Sequence, residues 1–148
     1  MIKLKNPNGK PYEFRARFDV AEFDATPGAD GIVTMRGYAA AVNVETVRWG
    51  MFRIVIRPGA FTKTLSESNV RGLWNHNDDY VLSSTKSGTL SLFEDAKGLG
   101  FEMQVNPVGI NATFVDNVKR GIVEGMSIGF DAVKEQWTRV DGGMDLME

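Results

Sequence analysis

Short runs of alternating apolar and polar residues, broken by turn-formers roughly every ten residues, constrain this chain more than any other feature. From Tyr12 to Val20, the residues Tyr12, Phe14, Ala16, Phe18 and Val20 alternate with Glu13, Arg15, Arg17 and Asp19. That period of two is the mark of a strand buried on one face. The turn-forming stretch Thr26–Gly31 leads to a second strand over Ile32–Val42. Val44–Trp49 reads as a loop, and Phe52–Ile56 as a short apolar strand. Further strands are expected at Val70–Trp74, from Val81-Leu82, at Thr89–Phe93 and at Leu99–Val105. Lys86-Ser87-Gly88 suggests a hairpin into Thr89–Phe93, and Asp95–Gly98 a second turn. Ile122–Val133 and Trp137–Val140 continue the series. The pattern predicts a mainly β, α+β fold, mostly an antiparallel barrel or sandwich with a few flanking helices.

Two helices interrupt it. Pro58-Gly59 punctuates the change to a short helix from Ala60 to about Leu65. In the second, Phe114, Val115 and Val118 fall at helical spacing, with Asn111 or Thr113 as candidate caps. Lys119 and Arg120 suit its C-terminal end, and Gly121 supplies a left-handed stop. With 148 residues the chain fits one domain, 1–148. Its end in Asp145-Leu146-Met147-Glu148, at what reads as the start of a strand, suggests truncation at the C-terminus.

The composition, 43% hydrophobic and 24% charged, is too apolar for a disordered chain. Basic and acidic residues, 17 and 19, are interspersed and nearly balance. No concentrated positive charge is offered to nucleic acid or to an anionic membrane, so neither is an expected partner. No apolar run approaches the roughly 20 residues of a membrane-spanning helix. Cysteine is absent, which removes disulfides, zinc ribbons and thiol nucleophiles.

The chain has a single histidine, His76, in Leu73-Trp74-Asn75-His76-Asn77-Asp78-Asp79. At the end of an apolar run, a strand can hold such a residue while a loop exposes it. The plain alternative is a half-buried histidine bonded to a neighbouring amide. A zinc site is disfavoured, because His76 with Asp78 and Asp79 lacks the usual ligand set. The second candidate is Ser127, in Gly125-Met126-Ser127-Ile128-Gly129, a G-x-S-x-G match. In α/β-hydrolases the order is Ser, acid, His, whereas here the only histidine precedes the serine and the following segment reads as strand. If Ser127 is a nucleophile, His76 must be its base.

These residues carry a resemblance. Pro58-Gly59-Ala60-Phe61, Leu73-Trp74-Asn75-His76, Gly88-Thr89-Leu90, Gly98-Leu99 and Gly125–Phe130 resemble, in order, the landmarks of tailed-phage prohead proteases, from about Gly37 onward. That family is similar to the herpesvirus assembly proteases, which have a β-barrel with flanking helices and a catalytic histidine ahead of the serine. The resemblance implies a serine endopeptidase of head maturation, with His76 as base and Ser127 as nucleophile and no cofactor. It implies scaffold and major capsid protein as substrates, with cleavage inside the assembling procapsid in the host cytoplasm. By analogy with the herpesvirus enzymes, a homodimer is a hypothesis. The third catalytic member has its family place at Leu146-Met147-Glu148, which implies Glu148, with Asp145 and Asp131 as competitors. Asp78 or Asp79 would sit too close to the histidine to orient it well, and Glu148 can also be read as a mere terminal charge. The chain departs from the family pattern at Ile54, often acidic, and at Ser83, often glycine. Two other readings stay open: a non-catalytic β-barrel module of the capsid or scaffold, and a small esterase using the same pair.

Overall fold

The computed structural model describes residues 13–14, 24–48, 52–123, 125–130, 134, 136–139 and 145–147. Its centre is the antiparallel pair β3 (Val33–Ala41) and β9 (Gly98–Val105). Val33 pairs with Val105, Met35 with Met103 and Gly37 with Phe101, so the period of two in each strand presents its apolar residues to the core. The alternation in β3 breaks where the register shifts between Tyr38 and Ala40, and both Ala39 and Ala40 are buried beyond it. Such a bulge is how a strand bends without losing its ladder. β2 (Asp24–Pro27) flanks β3, and β8 (Leu90–Glu94) flanks β9.

A second sheet has the order β11 (Trp137–Arg139), β12 (Asp145–Met147), β5 (Phe52–Ile54), β4 (Thr46–Arg48). β12 runs parallel to β5, with Met147 opposite Ile54. Two small antiparallel pairs complete the strands: β6 (Arg71–Leu73) with β7 (Val81–Ser84), and β1 (Glu13–Phe14) with β10 (Ile128–Gly129). The helices are α1 (Thr62–Glu67) and α2 (Ile110–Lys119). The fold is therefore mainly β and largely antiparallel, as the sequence pattern predicts. The expected closed barrel is not found. The described strands fall into four sheets, because β8 continues the β3–β9 sheet while β7 turns aside to pair with β6 alone.

That divergence also corrects the hairpin read at Lys86-Ser87-Gly88. The turn is real, with Gly88 N–H donating to the Thr85 carbonyl at 3.1 Å, but it joins strands of different sheets. Side chains close it: Ser84 N–H donates to Thr89 Oγ1 at 3.1 Å and Ser87 N–H to Ser84 Oγ at 3.1 Å. The Asp95–Gly98 turn does make a ladder hairpin, β8 to β9. There the Tyr38 hydroxyl donates to Asp95 at 2.6 Å, which with the Lys97 N–H holds that carboxyl below its ordinary range. Val44–Trp49, read as loop, contains β4. Most of the Tyr12–Val20 run lies outside the described residues, of which Glu13 and Phe14 form β1.

α2 buries Phe114, Val115 and Val118, the stripe that its spacing predicts. Each such side chain contributes about 1.5–3 kcal/mol on burial. Its cap is the backbone of Gly109, with no side-chain bond, so neither Asn111 nor Thr113 caps it. The chain enters through Gly109 in a left-handed conformation (φ 62°), which places Asn111 and Thr113 inside the helix. At the other end Gly121 adopts φ 68° and donates to Val118, the expected stop. α1 is anchored from a distance. Glu94 in β8 accepts from Gly59 N–H at 2.7 Å and from Thr62 Oγ1 at 3.2 Å. Ile54, where the family pattern often has an acid, is 2% exposed and belongs to the core. Ser83 is likewise buried, and its Oγ has no hydrogen-bond partner among the described residues.

Gly98 has φ 151°, and a Cβ there would stand 1.9 Å from the Ala40 carbonyl oxygen in the facing strand. Backbone cannot yield as a side-chain tip can. Gly98→Ala is expected to cost about 2–4 kcal/mol, measured as a lowered urea midpoint with an unchanged m-value.

Candidate active site

His76 is held by a tight loop between β6 and β7. Trp74 N–H donates to the Tyr80 carbonyl at 3.0 Å, Asn77 N–H to the Trp74 carbonyl at 3.2 Å, and Tyr80 N–H to the Asn77 carbonyl at 2.9 Å. The Asn77 side chain adds a bond, accepting from Asp79 N–H at 2.9 Å. The cluster of turn-formers in the sequence thus becomes a closed loop with few unpaired backbone groups. Within it Asn75 (φ 56°) and His76 (φ 53°) are both left-handed. Asparagine tolerates this region well, whereas histidine there is uncommon and costs free energy. Strain of this kind persists only where surrounding contacts over-determine it. The contacts here are aromatic. The Trp74 ring lies 6.0 Å from that of Tyr80 and 5.8 Å from that of Phe114 in α2.

Ser127 arrives by a different route. After the Gly121 stop, the Asn117 carbonyl accepts from both Ile122 N–H (2.8 Å) and Val123 N–H (3.2 Å), folding the chain back over the end of α2. Gly125, Met126 and Ser127 are irregular, and β10 begins at Ile128, paired with Phe14. The expected strand over Ile122–Val133 therefore shrinks to Ile128–Gly129, with residues 131–133 outside the described set. The turns beyond Gly121 consume its first half. Strand β10 directly follows the serine, so the G-x-S-x-G stretch does not build the strand-to-helix elbow of an α/β-hydrolase.

The two segments meet at their functional groups: His76 Nε2 and Ser127 Oγ are hydrogen-bonded, and both side chains are half-buried. The ring spans β10. A Cβ on Gly129 would stand 3.8 Å from His76 Nδ1, so the second nitrogen lies over that strand. This is the arrangement that a serine nucleophile and an imidazole base require.

The candidates for a third member divide as follows. Asp78 and Asp79 are exposed in the His76 loop, and neither bonds to the imidazole. Asp145 is in β12. Asp131 and Glu148 lie outside the described residues. Among the described residues, no group of three or more histidines and acids is gathered to hold a metal ion, and no helix is long and apolar enough to cross a membrane.

Sequence reasoning missed two features. One is the left-handed pair Asn75-His76, signalled only by an asparagine ahead of the histidine. The other is a cleft of about 1050 Å³ that runs from His76 and Ser127 past Trp74 and Phe114. Phe114 is legible as a core residue, but its role as a wall beside the pair depends on tertiary packing.

If the left-handed conformation of Asn75 is what aims His76, side-chain shape at that position decides its cost. Asn75→Gly should leave stability within about 0.5 kcal/mol, while Asn75→Val should lower it by about 1–2 kcal/mol, as read by thermal unfolding of both variants.

Comparison with known protein families matches residues 17–147 to the caudovirus prohead serine proteases. No curated protein and no solved structure matches the chain. The matched span includes the His76 loop, α2 and Ser127, and it covers most of the sequence. The chain belongs to the caudovirus prohead serine protease family.

Proposed function

We propose that this chain is a serine endopeptidase of phage head maturation, in which Ser127 attacks and His76 moves the proton. The carrying observation is the hydrogen bond between His76 Nε2, on the only imidazole of the chain, and Ser127 Oγ. Base catalysis needs Nε2 unprotonated and the proton on Nδ1, the nitrogen that lies over β10. As Ser127 Oγ bonds to the scissile carbonyl carbon, its proton passes to Nε2 and the carbonyl oxygen becomes an oxyanion. The imidazolium then protonates the leaving amine as the C–N bond breaks. Water, deprotonated by the same nitrogen, releases the acyl group and restores Ser127.

The substrates are the scaffolding protein, or the scaffold-like N-terminal segment of the major capsid protein, and the chain itself, cut inside the assembling procapsid in the host cell. Membership of the prohead protease family supports this assignment. Glu148 is assigned to orient Nδ1–H and to stabilise the imidazolium. It directly follows β12, the strand that pairs with β5 on one side and β11 on the other.

Ser127→Ala should abolish processing of a co-expressed capsid or scaffold protein, a loss of about 10⁵–10⁶ in kcat, with the thermal midpoint little changed. Undiminished processing by that variant would refute the protease assignment. Glu148→Gln should keep the fold while reducing kcat by about 10²-fold or more. An unaltered kcat would remove Glu148 from the triad and pass the role to Asp131 or Asp145.

A further inference from the structure

The cleft that holds the reactive pair is large, apolar and almost uncharged. Its volume of about 1050 Å³ stands at the top of the range of about 300–1,000 Å³ found for small-molecule sites, more than one side chain fills. Trp74, Leu92, Phe114, Val123, Met126 and Ile128 line it, backed by buried core residues such as Phe101 and Met103. Arg71 is the one lysine, arginine or acid among the described lining residues, and it is exposed. α2 and its flanks build one wall, from Ile110 at the helix start through Phe114 to Val123 beyond its end. Ile110 is 46% exposed and extends this apolar wall to the rim.

We infer that this cleft is the substrate-selecting site, and that it takes an extended peptide segment with large apolar side chains beside the scissile bond. The inference rests on the protease assignment and deepens it. His76 and Ser127 line the same cavity, so the group that occupies it is the group presented to Ser127 Oγ. Leucine, methionine or phenylalanine entering the cleft exchanges water for apolar contacts. Lysine would lose its hydration with no acid among the described lining residues, and aspartate would find only the exposed Arg71. Selection is therefore both for apolar residues and against charged ones.

The test is a mixture of peptides of randomised sequence, incubated with the full chain and with Ser127→Ala, the cut sites read by mass spectrometry. The expected result is Ser127-dependent cleavage with Leu, Ile, Met, Phe or Tyr within two residues of the bond. Matched peptides with Lys or Asp there should have kcat/KM lower by about tenfold or more. Val123→Asp and Ile110→Asp should shift the preference toward Lys by a similar factor. Ile110 is exposed at a helix start, where an acid is favourable, so that variant retains the fold if Val123→Asp does not. Ser127-dependent cleavage without apolar preference would overturn the inference and leave the protease assignment standing. Absence of any Ser127-dependent cleavage would overturn both. If sedimentation showed a dimer that both variants dissociate, with cleavage preference unaltered, the cleft would belong to a second copy of the chain and the inference would fall.

Discussion

The contact between Trp74 and Phe114 is what the site depends on, because it joins the two pieces of structure that carry the reactive groups. Trp74 opens the loop that ends in His76, and Phe114 sits in the middle of the helix whose far end turns back toward Ser127. A ring pair of this kind adds only about 0.5–1.5 kcal/mol beyond its buried area. Its value is positional. Catalytic pairs lose rate steeply with small displacements, and a loop and a helix drawn from different parts of the chain have no ladder hydrogen bond to fix their distance. Packing fixes it instead, with the Tyr80 ring also 6.0 Å from that of Trp74.

Beside that contact, the His76 loop holds conformational strain. Consecutive left-handed residues at Asn75 and His76 turn the imidazole out of the β6–β7 connection and across β10. The loop tolerates this because Trp74, Asn77 and Tyr80 are bonded to one another through the backbone, so the chain has few other ways to close. A histidine on a relaxed turn would sample many rotamers, whereas this one has a hydroxyl partner on one nitrogen and a strand beneath the other. The same packing leaves an open apolar cleft beside the pair rather than filling it. The geometry of the pair and the shape of the cleft thus have a common origin in how α2 seats against the His76 loop.

Much of this was legible in the sequence. The central strands follow from strict alternation around Met35 and Met103, and the buried stripe of α2 from its spacing. The pairing of His76 with Ser127 was reachable because the chain offers no other imidazole and because the histidine comes first. What failed was whatever depends on the choice of partner. The turn at Lys86–Gly88 is visible in its residues, but which sheet each flanking strand joins is a long-range decision. The barrel expectation failed for the same reason. Asn111 and Thr113 are good caps by residue type, yet the helix starts one residue before Asn111 and is entered through Gly109. The strand read at Ile122–Val133 was apolar enough, but the Asn117 carbonyl captures its first two N–H groups and turns the chain.

The central claim, that His76 makes Ser127 a nucleophile, is tested most directly by covalent trapping. The intact protein would be treated with a fluorophosphonate, which phosphonylates a serine with loss of fluoride only where a neighbouring base activates it, and the product mapped by peptide mass spectrometry. One phosphonyl group per chain is expected, on Ser127, with loss of that label in a folded His76→Ala variant. Labelling that survives in His76→Ala, or no labelling of Ser127 in the native chain, would contradict it.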